Sequence, residues 1–216
     1  SSFSSDYLDS GMMGQASFRY SLFHKVELEA IVPYYRVEPK VGDSLSGMGK
    51  ISLGVTYSKI KTRYVQFGFF GGILIPNSDS DLAYLESGAN GLDFKFKGLI
   101  SFPLGEMTSI QGNVGYILTG EGDTPAQKDV DPEDIILYDV AFNHFIFDKK
   151  LKLIVELNGM KQDEASRLAV APAIRWEIVP AFIFEGYASI SVGDEDYRLY
   201  DTLFGIGFTY EFFSNR

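Results

Sequence analysis

Residues 203–212 alternate large apolar side chains with glycine and polar residues at every second position. Successive side chains of a β-strand point to opposite faces of its sheet. One face of this strand is therefore strongly apolar, and the other is small or polar. Such alternation is typical of a strand with lipid on one side and water on the other. The apolar set comprises Phe204, Ile206, Phe208, Tyr210 and Phe212.

The same period-2 pattern recurs along the chain and predicts eleven strands. They fall at 14–22, 26–37, 49–59, 64–75, 91–102, 108–119, 135–147, 151–160, 167–178, 181–191 and 202–212. Single-chain bacterial barrels have an even number of strands. We therefore expect a further short strand within residues 1–7, which brings the total to twelve.

The links between these strands differ in length in a regular way. Short links fall at 23–25, 61–63, 103–107, 148–150 and 179–180, and long polar links at 38–48, 76–90, 120–134, 161–166 and 192–201. Outer-membrane barrels alternate tight periplasmic turns with longer extracellular loops in this manner. The predicted fold class is an all-β, transmembrane, antiparallel up-and-down β-barrel of about 12 strands, formed by residues 1–216 as a single domain.

Composition restricts the alternatives. The chain has 22 Gly, 15% aromatic residues and no cysteine, so disulfides and thiolate chemistry are excluded. No run reaches the 18 or so apolar residues of a membrane-spanning helix. A net charge of −10 without basic clusters argues against nucleic acid as a partner. If the barrel prediction holds, we expect Ser1 to begin a chain whose export signal has been removed.

A soluble β-sandwich or a lipocalin-like barrel is the alternative fold, in which the same apolar residues would form the core. A small soluble barrel has room for the inward side chains of roughly eight strands, fewer than this chain supplies. Aromatic residues at the strand ends favour the membrane, because Trp and Tyr collect at its interfaces. We expect Phe147, Trp176, Phe182 and Phe212 at the periplasmic end and Tyr35, Tyr138 and Tyr200 at the other.

The complementary positions carry charged and amide side chains of both signs, which we predict line the lumen. The candidates are Arg19, Glu27, Glu29, Lys50, Asp93, Lys95, Lys97, Gln111, Asn113, Asp139, Lys152, Glu156, Arg167, Arg175, Glu177, Glu185 and Glu211. Charges removed from water need partners. Tight turns would place Arg19 opposite Glu29 and Arg175 opposite Glu185, as structural braces or as selectivity elements.

The chain offers few groups for catalysis or metal binding. Its two histidines, His24 and His144, lie outside any recognisable nucleophile–base segment, so we expect no enzyme and no cofactor. The acidic residues of one long link are weak candidates for a hard cation, and carboxylates in such links are usually solvated. They are Asp129, Asp131, Glu133 and Asp134, with Asp123 nearby. A second link, at 77–90, is half apolar and long enough to fold into the barrel mouth.

Several short segments carry a family resemblance. Residues 17–28, SFRYSLFHKVEL, resemble an Arg-Tyr-Gly-Leu…Glu-Leu hairpin, and 46–54, SGMGKISLG, are similar to a Gly-x-Gly-Asp strand opening in which Lys50 replaces the Asp. Residues 75–79, IPNSD, are similar to a Leu-Pro-Thr-Gly-Asp strand end, and VELNG at 155–159 continues the likeness. The family is the phenol meta-pathway family of proposed outer-membrane transporters. The resemblance implies a twelve-stranded barrel that moves small, aromatic or hydrophobic compounds.

The sequence thus predicts a monomeric channel or porin in the outer membrane of a Gram-negative bacterium, with no cofactor. Its expected partners are outer-membrane lipid, lipopolysaccharide and a small-molecule solute. The acidic links should favour small neutral or weakly cationic solutes. The alternatives are a structural or adhesive barrel with an occluded lumen and, further off, an outer-membrane lipid-modifying enzyme.

Overall fold

The computed structural model describes residues 2–4, 8–23, 25–39, 43–62, 64–77, 91–120, 134–162, 165–179, 182–192 and 202–210. These residues form β-strands and short connections and contain no helix. In particular, no described helix is long and apolar enough to cross a membrane. The strands are β1 (Ser2–Ser4), β2 (Leu8–Phe23), β3 (Val26–Pro39), β4 (Leu45–Met48), β5 (Ile51–Lys61), β6 (Gln66–Ile75), β7 (Asp93–Pro103), β8 (Thr108–Leu118), β9 (Ile135–Ile146), β10 (Leu151–Gln162), β11 (Ala165–Val179), β12 (Phe182–Val192) and β13 (Thr202–Tyr210).

All the strands belong to one antiparallel sheet in which chain neighbours are also neighbours in space. From β5 to β13 each strand pairs with the next, β3 pairs with β2, β4 and β5, and β1 pairs with both β2 and β13. The all-β, antiparallel prediction is confirmed, including the short strand expected within residues 1–7. Strand β2 begins at Leu8, six residues before the predicted position 14.

The segments β4 and β5 occupy a single strand position, so thirteen segments fill twelve positions. Both pair with β3, and the pairs Tyr34↔Met48 and Ile31↔Ser52 leave residues 32–33 opposite residues 49–51. The extra residue is a β-bulge opposite Pro33. Proline has no N–H to donate to a ladder, but its carbonyl accepts a hydrogen bond from Gly49 N at 3.1 Å. The sheet is therefore a twelve-stranded meander, as predicted.

Two of the predicted long links are shorter than expected. Strands β10 and β11 continue in register as far as Gln162↔Ala165, which leaves only residues 163–164 between them instead of 161–166. The link predicted at 38–48 shortens to 40–44, because β3 runs to Pro39 and β4 begins at Leu45. Ladder hydrogen bonds use the backbone, so a strand continues past the point where its apolar alternation stops. The strict alternation of short and long links is thus wrong at β10–β11.

The connection between β9 and β10 is a tight turn with left-handed backbone. Asp148 and Lys149 have φ of 54° and 68°, and Lys150 N donates to Phe147 O at 3.0 Å. Positive φ at both central residues matches a hairpin turn to the twist of its strands. Residues 147–150 define the end of the sheet called here the short-turn end, and residues 119 and 134 mark the opposite, long-link end.

Candidate functional site

The two faces of the sheet differ in chemistry and in exposure. The apolar face carries most of the large exposed hydrophobic side chains, such as Phe18 at 68%, Val114 at 64% and Ile206 at 73% exposed. Polar and charged side chains occupy the alternate positions, called here the polar face, and most of them are buried or half-buried. In a soluble protein large apolar groups seek the interior. Here the distribution is reversed, so we take the polar face as the candidate site.

The structure places the described lumen candidates on this one face. Ladder register places the following residues on the same face of the sheet: Arg19, Glu27, Glu29, Asp93, Lys95, Lys97, Gln111, Asn113, Asp139, Lys152, Glu156, Arg167, Arg175, Glu177 and Glu185. Lys50 joins them from the bulge, buried against Asp93. Glu211 lies outside the described residues.

Both predicted ion pairs form. Arg19 Nε donates to Glu29 Oε2 at 2.8 Å, and Arg175 Nε lies 3.6 Å from Glu185 Oε1. Their ladder registers are Arg19↔Glu29 and Arg175↔Glu185, as the tight turns predicted. Each pair retains partial solvent exposure, with Arg175 and Glu185 side chains 31% and 39% exposed. Ion pairs in contact with water contribute about 1 kcal/mol or less, so these two pairs add little to the stability of the fold.

The tightest ion pair is one that sequence reasoning did not foresee as a pair. Lys50 Nζ donates to Asp93 Oδ2 at 2.7 Å, and the two side chains are 2% and 1% exposed. The other carboxylate oxygen, Asp93 Oδ1, accepts Gly120 N at 3.1 Å. The ion pair lies beyond the end of β6. It connects the β4–β5 bulge to β7 and, through Asp93, to the backbone of Gly120 just after β8. It holds three strand positions together at the long-link end.

A second cluster lies at mid-height on the polar face. The Asn113 amide donates to the Asp139 carboxylate, its neighbour in register. Lys95 and Lys97 on β7 both act electrostatically on Asp139, and Asp139 in turn on Glu156 of β10. Charges of both signs therefore converge where β7 to β10 run side by side.

Glycines on the polar face leave space that long side chains cover. Glu29, Gly54, Gly72 and Lys95 are in register across four strands, and a Cβ at Gly54 or Gly72 would overlap the ring of Phe70. The ring thus lies over both glycines. The negative charge of Glu29 acts electrostatically on Lys95 across these four strands. Tyr187 covers Gly205 in the same way, so side chains follow the wall of the sheet here.

A concavity of about 210 Å³ opens on this face beside the mid-height cluster. Its polar-face lining consists of Lys97, Leu137, Asp139, Asn158, Met160 and Arg167, and Tyr138 and Gly159 also border it. Lys97, Leu137, Met160 and Arg167 belong to one register row that passes through Gly115. A Cβ at Gly115 would lie 2.9 Å from Lys97 Cγ. The absence of a side chain at Gly115 thus lets the lysine stem lie across β8 toward the concavity.

Sequence reasoning missed the apolar members of the polar face. Ile117, Ile135, Ile183 and Leu203 are buried there, each less than 9% exposed. At these strand ends two apolar residues adjoin, as in Ile117–Leu118 and Ile135–Ile136, so alternation alone cannot assign a face. The register pair Ile117↔Ile135 settles it. The polar face is thus mixed: Ile117, Ile135 and Leu203 lie toward the long-link end, and Ile183 lies near the short-turn end.

The remaining candidates have structural partners. His144 lies on the apolar face, where its Nδ1 hydrogen-bonds Thr108 Oγ1 at 2.9 Å. Asp134 accepts Tyr116 Oη at 2.6 Å and Thr119 N at 3.0 Å. The hydrogen bond from Tyr116, followed by that from the Thr119 backbone, lowers the pKa of the Asp134 carboxyl below its usual 3.8. Across the described residues no cluster of three or more acidic or histidine side chains could hold a metal ion. His24, Asp123, Asp129, Asp131 and Glu133 lie outside those residues, as do positions 78–90 of the link at 77–90.

Aromatic residues mark the strand ends of the apolar face. At the short-turn end Phe147 is 74% exposed, and Phe208 stacks on Phe182 with ring centroids 5.7 Å apart. At the long-link end the prediction for Tyr35 is wrong, since this residue shares the polar face with Glu29. The exposed tyrosine there is its neighbour Tyr34. Tyr200 and Phe212 lie outside the described residues.

Comparison with known proteins yields one family. Residues 16–212 match the family model described as "Putative MetA-pathway of phenol degradation". That description associates the matched chains with a phenol-degradation pathway. A search of curated proteins finds no match.

Proposed function

The chain belongs to the "Putative MetA-pathway of phenol degradation" family, and from that premise we propose that it is a passive outer-membrane channel for small molecules. The proposal has three parts: the sheet closes into a twelve-stranded barrel, the apolar face contacts lipid, and the polar face lines a water-filled path. It contains no enzymatic step and needs no cofactor. It agrees with the family resemblance found in residues 17–28 and 155–159.

The strand pairings support closure. Strand β1 pairs with β13 through Ser2↔Phe204 and with β2 through Ser2↔Met12, and β2 pairs with β3. Every strand position then has two neighbours. In hydrocarbon every backbone N–H and C=O needs an internal partner, which a sheet achieves only as a closed ring. Closure and membrane insertion therefore support each other.

The reversed distribution of side chains is the observation that carries the proposal. Large apolar groups are among the most exposed residues of the structure, and Lys50, Asp93 and Asn143 are among the least exposed. A lipid solvent outside the barrel explains both facts. The exposed rings of Phe147 and Trp176 at the short-turn end fit an interfacial aromatic girdle. We place the protein in the outer membrane of a Gram-negative bacterium, as a monomer in contact with lipid and lipopolysaccharide.

The lining of the polar face favours a path for solute over a filled interior. Glycines 54, 72 and 115 contribute no side chain, and Phe70 and the Lys97 stem lie along the wall. A Cβ added at Gly207 would meet nothing within 4 Å. Barrels of about eight strands are filled by their own side chains, whereas those of 16–18 strands hold a channel. Twelve positions lie between these sizes, so we expect a narrow path.

Two tryptophan substitutions test the channel. Gly207 faces the polar side in register with Glu185, and Gly14 faces the apolar side in register with Tyr34. A Cβ added at either position meets nothing within 4 Å. The purified full chain is inserted into planar bilayers and its single-channel conductance is measured. We expect a small conductance that Gly207→Trp reduces by at least half and Gly14→Trp leaves unchanged.

The two variants also separate the channel from its alternative. If inserted wild-type protein conducts no ions, the occluded structural barrel replaces the channel. If Gly14→Trp lowers the conductance as much as Gly207→Trp, the assignment of the two faces is wrong.

A further inference from the structure

We propose that the concavity beside Lys97 binds a small carboxylic acid with an apolar body. The proposal rests on the proposed function in that the acid would be a solute moving along the polar face. It names the class of that solute and the residues that hold it: Lys97 and Arg167 for the carboxylate, Leu137 and Met160 for the apolar body.

The size of the concavity restricts the ligand. Its volume of about 210 Å³ far exceeds the ~30 Å³ share of one water molecule in the liquid. It is also below the roughly 300–1,000 Å³ typical of sites for drug-sized ligands. The site therefore suits a molecule of about one ring or a short branched chain.

The register row explains how the two cations meet around an apolar centre. From β7 to β11 the row contains, in order, Lys97, Gly115 with no side chain, Leu137, Met160 and Arg167. The lysine stem lies over Gly115, and Lys97 and Arg167 both line the concavity. Leu137 and Met160 lie between the two charges. A methionine side chain adapts its shape to irregular apolar groups.

The balance of charge around the concavity favours an anion. Of the charged side chains that line it, Lys97 and Arg167 are positive and Asp139 is negative. The Asp139 carboxylate already accepts the Asn113 amide. Among the residues that the structure describes, Lys97 has no carboxylate within ion-pair distance. A ligand carboxylate would supply the missing negative charge, and the apolar pair would distinguish an organic acid from an inorganic anion.

This assignment revises an expectation from the sequence. The acidic links suggested neutral or weakly cationic solutes, since carboxylates at an entrance attract cations. The row at Lys97 lies on the polar face, away from the long links. There the local side chains, rather than the net charge of −10, determine which solute binds. The two effects act at different depths of the path.

Three probes separate charge from apolar contact. Benzoate carries both features, benzamide is its neutral counterpart, and acetate carries the charge with almost no apolar body. Binding to the full chain in detergent micelles is followed by isothermal titration calorimetry, with protein-free micelles as the blank. We expect benzoate to bind at least tenfold more tightly than either of the other probes. This comparison uses the wild-type protein alone and needs no variant.

Lys97→Met keeps an apolar stem over Gly115 and removes the charge. We expect it to weaken benzoate binding about tenfold, the size of one charge-assisted hydrogen bond, and to leave benzamide binding unchanged. Lys150→Met is the matched control, because Lys150 is exposed in the β9–β10 turn away from the polar face. It should bind benzoate like the wild type.

The outcomes distinguish this proposal from the channel itself. Equal affinity for benzoate and benzamide, or equal losses in Lys97→Met and Lys150→Met, would overturn the carboxylate site even if the protein conducts ions. Selective benzoate binding by a protein that shows no conductance would uphold the site and reject the channel. Benzoate binding that Lys97→Met does not weaken would also overturn the assignment of the site.

Discussion

The buried pair between Lys50 and Asp93 allows the sharpest test of the structure. With Nζ and Oδ2 2.7 Å apart and both side chains at most 2% exposed, neither charge has water to replace a lost partner. Removing one member of a buried pair costs about 3–5 kcal/mol, whereas replacing both by neutral groups is often nearly neutral. Lys50→Met or Asp93→Asn alone should therefore lower the free energy of unfolding by about 3–5 kcal/mol. The double variant should lie within about 2 kcal/mol of the wild type.

The assay is equilibrium urea unfolding of the chain folded into phospholipid vesicles. Trp176 is the only tryptophan and lies exposed on the apolar face, so its fluorescence reports contact with lipid. Asp93→Asn is chosen because the amide oxygen still accepts the Gly120 N–H. The control is the pair Arg36–Glu38, at 3.5 Å with both side chains about half exposed, for which we expect a coupling of about 1 kcal/mol or less. A Lys50–Asp93 coupling as small as that of the control would refute the buried pair.

Three further predictions follow from single features. Leu157→Arg, in the middle of β10 on the apolar face, should destabilise the folded protein in lipid by about 2–4 kcal/mol, and Tyr64→Arg, in a short turn, by about 1 kcal/mol or less. Equal unfolding midpoints would argue against a lipid-facing surface. Gly72→Ala should destabilise the protein by about 1–3 kcal/mol in urea unfolding, because the added Cβ would meet Leu53 O at 2.7 Å. Gly207→Ala, in open space, should be neutral or slightly stabilising. Similar losses in both variants would show that the close contact at Gly72 is not real. The folded-state pKa of Asp134 is depressed, so its hydrogen bonds stabilise the protein above about pH 4 and are lost as the pH falls further. Tyr116→Phe should raise the Asp134 pKa, measured by NMR titration of the carboxyl carbon. An unchanged pKa would contradict the hydrogen bond.

Local pattern predicted most of the sheet, because strand alternation and tight turns act over a few residues. The Arg19–Glu29 pair illustrates this: it lies close to a turn, and an irregularity that pairs Phe23 with Val26 does not disturb the register beyond it. Side-chain polarity was a poor guide to where strands end. At 161–166 the charged residues suggested a loop, yet the backbone ladder continues to Gln162↔Ala165.

The candidate site depended on contacts that no local pattern encodes. Lys50 and Asp93 are 43 residues apart and meet only because the sheet brings the start of β5 near β7, past the end of β6. The concavity combines side chains from β7, β9, β10 and β11, and Gly115 matters there through the group it lacks. The sequence shows which residues are charged, but the register of the ladders determines which of them lie in the same row across the sheet.

The two tight connections around β10 also bear on the order in which the chain acquires its structure. Strand β10 pairs with β9 through eleven residue pairs and with β11 through twelve, without a register shift. Turns of two to four residues close at little entropic cost, and local contacts form fastest. We infer that β9–β11 forms first and that the pairing of β1 with β13, which joins residues about 200 positions apart, forms last. Pulse-labelling hydrogen exchange during refolding should protect residue 155 before residue 203, and the reverse order would exclude this sequence of events.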